Sequence, residues 1–121
     1  MTARWEIFPD DLDVTADFYV HVLGFEIVKD ERSAEQPYLS VRRDQVQIGA
    51  AARPTESDRD RRRPPLGVEL VLEVDDLTAE RERVLAYGWP LDEDVTDQPW
   101  GLSDFRILDP SGYYLRISTR E

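Results

Sequence analysis

The chain has no cysteine. Disulfides, thiolate nucleophiles and cysteine-based metal or iron–sulfur sites are excluded together. Histidine is nearly as scarce. His21 stands alone, and no Ser–His–Asp triad or multi-histidine metal set can be built around it. Asp17 lies one helical turn before it, a spacing that reads as a surface contact rather than a ligand pair. No apolar run reaches the roughly 18 residues that cross a bilayer, and no basic flank precedes an apolar stretch near the start of the sequence. Neither membrane insertion nor secretion is expected, and the cytoplasm is the expected location. Lysine is almost missing, since arginine supplies all the positive charge except Lys29. The formal net charge of −11 disfavours nucleic acid as a partner, because phosphates need a basic surface that displaces their counterions. An acidic surface keeps a protein soluble and also attracts cationic ligands.

What the chain does contain is a repeat. Asp10-Asp11-Leu12 recurs as Asp75-Asp76-Leu77, and Gly24-Phe25 recurs as Gly88-Trp89, at an offset of about 65 residues. Each copy reads as a short strand, an aspartate-capped helix ending at glycine, and further strands. The fold class expected is α+β: two tandem βαβββ modules with curved antiparallel sheets and helices on the convex face. The 121 residues make one domain, with module one at 1–52, a linker at 53–66 and module two at 67–121. At this size about two thirds of the unfolded surface can be buried.

The first helix is predicted over Asp11–Leu23, where Leu12, Ala16, Tyr19 and Leu23 keep helical spacing and Gly24 supplies a left-handed stop. The second runs from Asp76 to Gly88, with Leu77, Val84 and Leu85 on its apolar face and Pro90 blocking continuation. The intervening segment carries Arg61-Arg62-Arg63 beside acidic residues and ends in Pro64-Pro65, which reads as a linker with a solvated charge run.

Arg4–Phe8, Gln45–Gly49, Val68–Val74 and Tyr113–Ser118 alternate as half-buried strands do. One parity is apolar: Trp5, Ile7, Val46, Ile48, Val68, Leu70, Leu72, Val74, Leu115 and Ile117. It should pack under the helices. The other parity holds Arg4, Glu6, Phe8, Gln45, Gln47, Glu69, Val71, Glu73, Tyr114, Arg116 and Ser118, which leaves a mixed polar and aromatic face on the far side. Phe25–Lys29, Tyr38–Arg42, Leu91–Val95 and Ser103–Leu108 supply the remaining strands. A curved sheet makes that polar face concave, as ligand pockets are.

The doubled pattern, Leu12-Asp13-Val14-Thr15-Ala16-Asp17-Phe18-Tyr19, Leu23-Gly24-Phe25, Gln98-Pro99-Trp100-Gly101 and Asp109-Pro110-Ser111-Gly112 together resemble the glyoxalase/bleomycin-resistance/extradiol-dioxygenase superfamily, also called vicinal oxygen chelate. The Pro-Trp-Gly element is similar to the bleomycin-resistance branch. Enzymes of the superfamily hold a divalent metal on His and Glu side chains from the first and last strands of each module. The matching positions here are Arg4, Gln47, Glu69 and Arg116. Arginine has no lone pair to donate and repels a cation, so no metal and no cofactor is expected.

The resemblance implies a metal-free protein that binds a small molecule, sequestering an antibiotic or a similar planar, cationic metabolite in the groove of a homodimer. Such a protein needs no catalytic residue. Trp100 leads the candidate ligand contacts because a large aromatic in a turn-rich stretch is more often a contact than a core anchor. Phe8, Tyr38, Phe105 and Tyr114 add stacking surface, Glu6, Glu69 and Glu73 add attraction for a cation, and Arg4, Gln47 and Arg116 complete the set. The alternative is a metal-independent enzyme of the same fold, with Glu69 or Glu6 as general base and Arg116 stabilising negative charge. A third possibility is a structural interaction protein whose cup is filled by its own side chains.

Overall fold

The structure, a computed structural model, describes residues 1–52, 62–64 and 66–120. The centre of the expected linker, residues 53–61, and Pro65 lie outside the described residues. The chain divides into two compact units, Met1–Ser57 and Asp58–Glu121.

The first unit contains β1 (Trp5–Ile7), α1 (Leu12–Asp17) with a π-helical turn (Phe18–Val22), β2 (Glu26–Glu31), β3 (Tyr38–Arg43) and β4 (Val46–Ala51). The second contains β5 (Leu70–Val74), α2 (Leu77–Ala86), β6 (Glu93–Asp97), β7 (Ser103–Leu108) and β8 (Tyr114–Thr119). Their sheets have the same order, β1-β4-β3-β2 and β5-β8-β7-β6. The fold is α+β with tandem βαβββ modules, but each sheet is mixed rather than wholly antiparallel. A helix carries the chain across to the opposite edge of the sheet, so the second strand of a module runs like the first. Two reversals then leave the fourth strand parallel to the first, as Glu6 opposite Gly49 and Val71 opposite Arg116 show.

Both helices begin where aspartate can satisfy free backbone N–H groups. Asp11 Oδ1 accepts from the amides of Asp13 at 2.9 Å and Val14 at 3.2 Å, and Asp76 Oδ1 accepts from Ala79 N at 3.0 Å. Gly24 and Gly88 end them at φ 74° and 80°, in the left-handed region that glycine enters without strain. The predicted continuous helix over Asp11–Leu23 is α-helical only to Asp17. Beyond it Leu23 N donates to Phe18 O at 3.2 Å, an i to i+5 bond that widens the turn. That turn buries the adjacent Phe18 and Tyr19 together, with ring centroids 5.0 Å apart edge to face.

The apolar parity forms the core beneath the helices. In the first unit Ile7, Leu39, Val41, Ile48 and Ala50 meet Leu12, Ala16, Tyr19 and Val22; in the second, Leu70, Leu72, Ile107, Leu115 and Ile117 meet Leu77 and Val84. Trp5 and Val68 depart from their expected burial, at 43% and 68% exposed. Trp5 sits on the edge strand β1, and Val68 precedes β5, so neither is covered from both sides. The edge strands β2 and β6 are exposed along their length and each carries a register shift, at Ile27/Lys29 and Glu93/Thr96. Charge and bulges of this kind hinder pairing with a stray strand.

The Asp-Pro-x-Gly element is structural. Asp109, 4% exposed, accepts on Oδ1 from the amides of Ser111 at 2.9 Å and Tyr113 at 2.8 Å. Gly112 takes φ 84° and donates to Asp109 O at 3.0 Å. The carboxylate thus substitutes for backbone partners in the turn that starts β8.

Candidate functional site

The polar parity of each sheet presents a separate concavity. In the first unit Arg4 Nε donates to Glu6 Oε1 at 2.7 Å, and the Tyr38 hydroxyl donates to the same oxygen at 2.9 Å. Burial pushes the Tyr38 phenol above its ordinary value, and the hydrogen bond to and charge of Glu6 reinforce the shift. The phenol therefore stays a neutral donor. Gly49 makes this cluster possible, because a Cβ there would overlap the Tyr38 hydroxyl and both Glu6 carboxylate oxygens. Further along the face, Arg42 Nη2 donates to Gln47 Oε1 at 3.0 Å and Gln47 Nε2 donates to Ser40 Oγ at 3.1 Å. These side chains, with Val28, Lys29 and Glu31, line a groove of about 950 Å³. Phe8, although 44% exposed, is not part of this lining, because β1 ends at Ile7 and the alternation stops there.

In the second unit the turn between β6 and β7 holds Trp100. Gly101 N donates to Gln98 O at 3.0 Å and Gln98 N to Leu102 O at 2.7 Å, with Pro99 at the second turn position and Gly101 at φ 93°. Gln98 Nε2 ties the turn to Asp104 Oδ1 at 3.0 Å. Trp100 is 57% exposed and borders a hollow of about 300 Å³ with Val71, Glu73, Leu102, Arg116 and Ser118. Arg116 Nε lies 2.5 Å from Glu69 Oε1, an ion pair rather than a linear hydrogen bond. Directly opposite Arg116 on the neighbouring strand is Arg106, whose Nε lies 3.6 Å from Asp104 and 3.7 Å from Glu93. The two guanidinium groups thus stand among three carboxylates, as partly buried charges require.

Two expected contacts are corrected. Phe105 has no exposure; it faces Ile117 across the strands and belongs to the core parity. Tyr114 shares the Arg116 face but is 6% exposed. Its hydroxyl donates to Asp92 Oδ2 at 3.3 Å, and Arg63 and Arg106 lie 5.6 Å and 6.0 Å from its ring centre. The charge run is corrected with it. Arg63 grips Asp92 through two bonds of 2.9 Å and 2.8 Å, and that hydrogen bonding holds the Asp92 carboxyl below its ordinary value. Arg62 donates to Ser111 O at 2.8 Å and stacks 3.9 Å over Tyr113. These two arginines thus hold partners within the second unit, Arg63 while remaining exposed; Arg61 lies outside the described residues.

The donor set does not fit a divalent ion. Glu6 is taken by Arg4 and Tyr38, Glu69 by Arg116, and the remaining inherited positions carry guanidinium or amide groups. Among the described residues no group of three or more His, Cys, Asp or Glu side chains converges. His21 lies exposed on the π-helical turn. No described helix is long and apolar enough to cross a membrane.

Sequence reasoning missed Arg42, Gln98, Arg63 and Asp92. Arg42 was within reach, since Tyr38, Ser40 and Arg42 alternate on β3. The Arg63–Asp92 pair joins residues 29 positions apart and leaves no periodic signal.

Residues 2–117 match the Glyoxalase/Bleomycin resistance protein/Dioxygenase superfamily, and the chain belongs to that superfamily. Among solved structures, a bleomycin resistance determinant encoded on the transposon Tn5 is 23% identical with a TM-score of 0.81, over 100% of this chain and 98% of that one. A bleomycin-binding protein complexed with bleomycin is 22% identical with a TM-score of 0.78, over 100% and 99%. UcmS2 is 25% identical with a TM-score of 0.79, over 99% and 98%. No curated protein matches the sequence at a significant level.

Proposed function

We propose that this chain is a metal-free binding protein that sequesters a planar, cationic small molecule of the antibiotic type and releases it unchanged. The observation that carries this reading is the Trp100 indole, held outward on a pinned turn beside a hollow that also contains Glu73. An indole face and a carboxylate together favour an aromatic cation. The bleomycin-binding protein among the structural relatives supports the same ligand class. A homodimer belongs to the proposal, since a second copy would close a concavity that one copy leaves open.

The enzyme alternative receives less support, because the Glu6 and Glu69 carboxylates are both already paired with guanidinium groups. Calorimetric titration of the wild type and of Trp100→Ala against bleomycin and other planar cations tests the reading, with mass analysis of the recovered compound. Binding by the wild type, its marked weakening in the variant and recovery of intact compound are expected. Consumption of the compound would favour the enzyme.

A further inference from the structure

The cations of the first unit's groove are not equally compensated. Arg4 pairs with Glu6 at 2.7 Å and Lys29 with Glu31 at 3.3 Å. Arg42 donates instead to the neutral amide of Gln47 at 3.0 Å, and it forms no ion pair with a described residue. Its cross-strand partner is Glu26 on β2, which stays beyond ion-pair distance. Glu35 lines the groove from the loop before β3 and forms no ion pair with Arg42.

The amide that holds Arg42 is itself fixed. Gln47 Nε2 donates to Ser40 Oγ at 3.1 Å, and Ser40 is 2% exposed, so Gln47 Oε1 is left facing the guanidinium. A neutral acceptor orients the fork without discharging it. Val28, on the bulged β2, and the Tyr38 ring give the same groove apolar and aromatic surface, and its volume of about 950 Å³ suits a drug-sized molecule. In a chain of net charge −11 the long-range field repels anions, so short-range, two-point contact has to carry their recognition. Guanidinium against carboxylate provides it.

We propose that this groove is a carboxylate-recognising subsite for a planar aromatic acid, with Arg42 gripping the carboxylate, Gln47 and Ser40 orienting Arg42, and Tyr38 flanking the ring. The proposal rests on the reading that the sheet faces bind small molecules, and it gives the first unit's face an acidic class of ligand of its own. Naphthoate and its uncharged analogue naphthamide are the probes, followed by calorimetry and backbone amide NMR of the full chain. Naphthoate should bind about tenfold more tightly than naphthamide at low salt, shifting the amides of Tyr38, Arg42 and Gln47. Arg42→Gln should abolish that preference, Arg42→Lys should keep part of it, and Gln47→Ala should narrow it while the charge remains. Equal binding of the two probes, a preference that survives Arg42→Gln, or shifts confined to the second unit would each overturn the subsite. Naphthamidine is titrated in parallel on Trp100 fluorescence. Quenching by naphthamidine without any naphthoate preference rejects the subsite and leaves the proposed function standing, whereas no binding of any probe to the folded protein rejects both.

Discussion

At the scale of single residues, Trp100 and Gly49 make the sharpest contrast. Trp100→Ala removes an exposed side chain from a turn whose hydrogen bonds are made by the backbone and by Gln98. The variant should therefore keep the wild-type circular dichroism and melting temperature while losing ligand-induced quenching; unfolding would make the indole a structural anchor. Gly49→Ala puts a methyl group where the Tyr38 hydroxyl and Glu6 carboxylate lie, so the cluster must move. Loss of the Glu6–Tyr38 hydrogen bond should appear as a lowered tyrosine titration in the ultraviolet, since that bond now helps raise the phenol. The exposed arginine pairs make a contribution that is present at neutral pH and lost in acid. Arg32 holds Asp30, and Arg81 holds Asp94, each from an ordinary 3.8 down to about 2. A depressed folded-state value means that the contribution is full above the unfolded value and is lost as pH falls through about 2. Carboxyl NMR should show both titrating near 2, and Arg81→Gln should raise Asp94 alone, part of its depression being kept by the Val95 amide. An Asp94 titration unchanged by that substitution would refute the pairing.

At the scale of elements, periodicity and capping made the modules legible. Ser103–Leu108 was read with the bounds observed for β7, and both aspartate caps and glycine stops fall where expected. The site was legible only by parity. Alternation put Arg4, Glu6, Gln47, Glu69 and Arg116 on the polar faces, yet it could not say that Tyr114 is covered by Arg63, because that contact joins distant parts of the chain. Phe105 was misplaced for a different reason. Its strand alternates Asp104, Phe105, Arg106, Ile107, and only assigning the parity strictly would have sent the phenylalanine to the core. The π-helical turn left no sequence signal, since Phe18, Tyr19, Val22 and Leu23 also fit a broad α-helical stripe. Asp109 offers the direct test at this scale. Asp109→Ala leaves the amides of Ser111 and Tyr113 without their buried acceptor and should cost about 1–3 kcal/mol in denaturant unfolding. A cost near zero would mean that the turn forms without its side-chain acceptor.

At the scale of the whole molecule, the positions that match the superfamily's metal ligands hold Arg4, Gln47, Glu69 and Arg116, with Arg4 paired to Glu6 and Arg116 to Glu69. Light scattering at tens of micromolar is expected to report a homodimer, as an interface of ordinary size and micromolar or better affinity would persist there. A monomer alone would remove the dimeric part of the proposal. Elemental analysis after dialysis is expected to find no stoichiometric divalent ion, and one retained ion per chain would contradict the reading of Arg4, Gln47, Glu69 and Arg116. The most direct test of the central claim is equilibrium dialysis of the protein against bleomycin, with mass analysis of the compound released on denaturation. Sequestration predicts saturable retention that is sharply reduced in Trp100→Ala, and recovery of the compound at its original mass. Absence of retention by the folded wild type, or recovery of an altered compound, would contradict it.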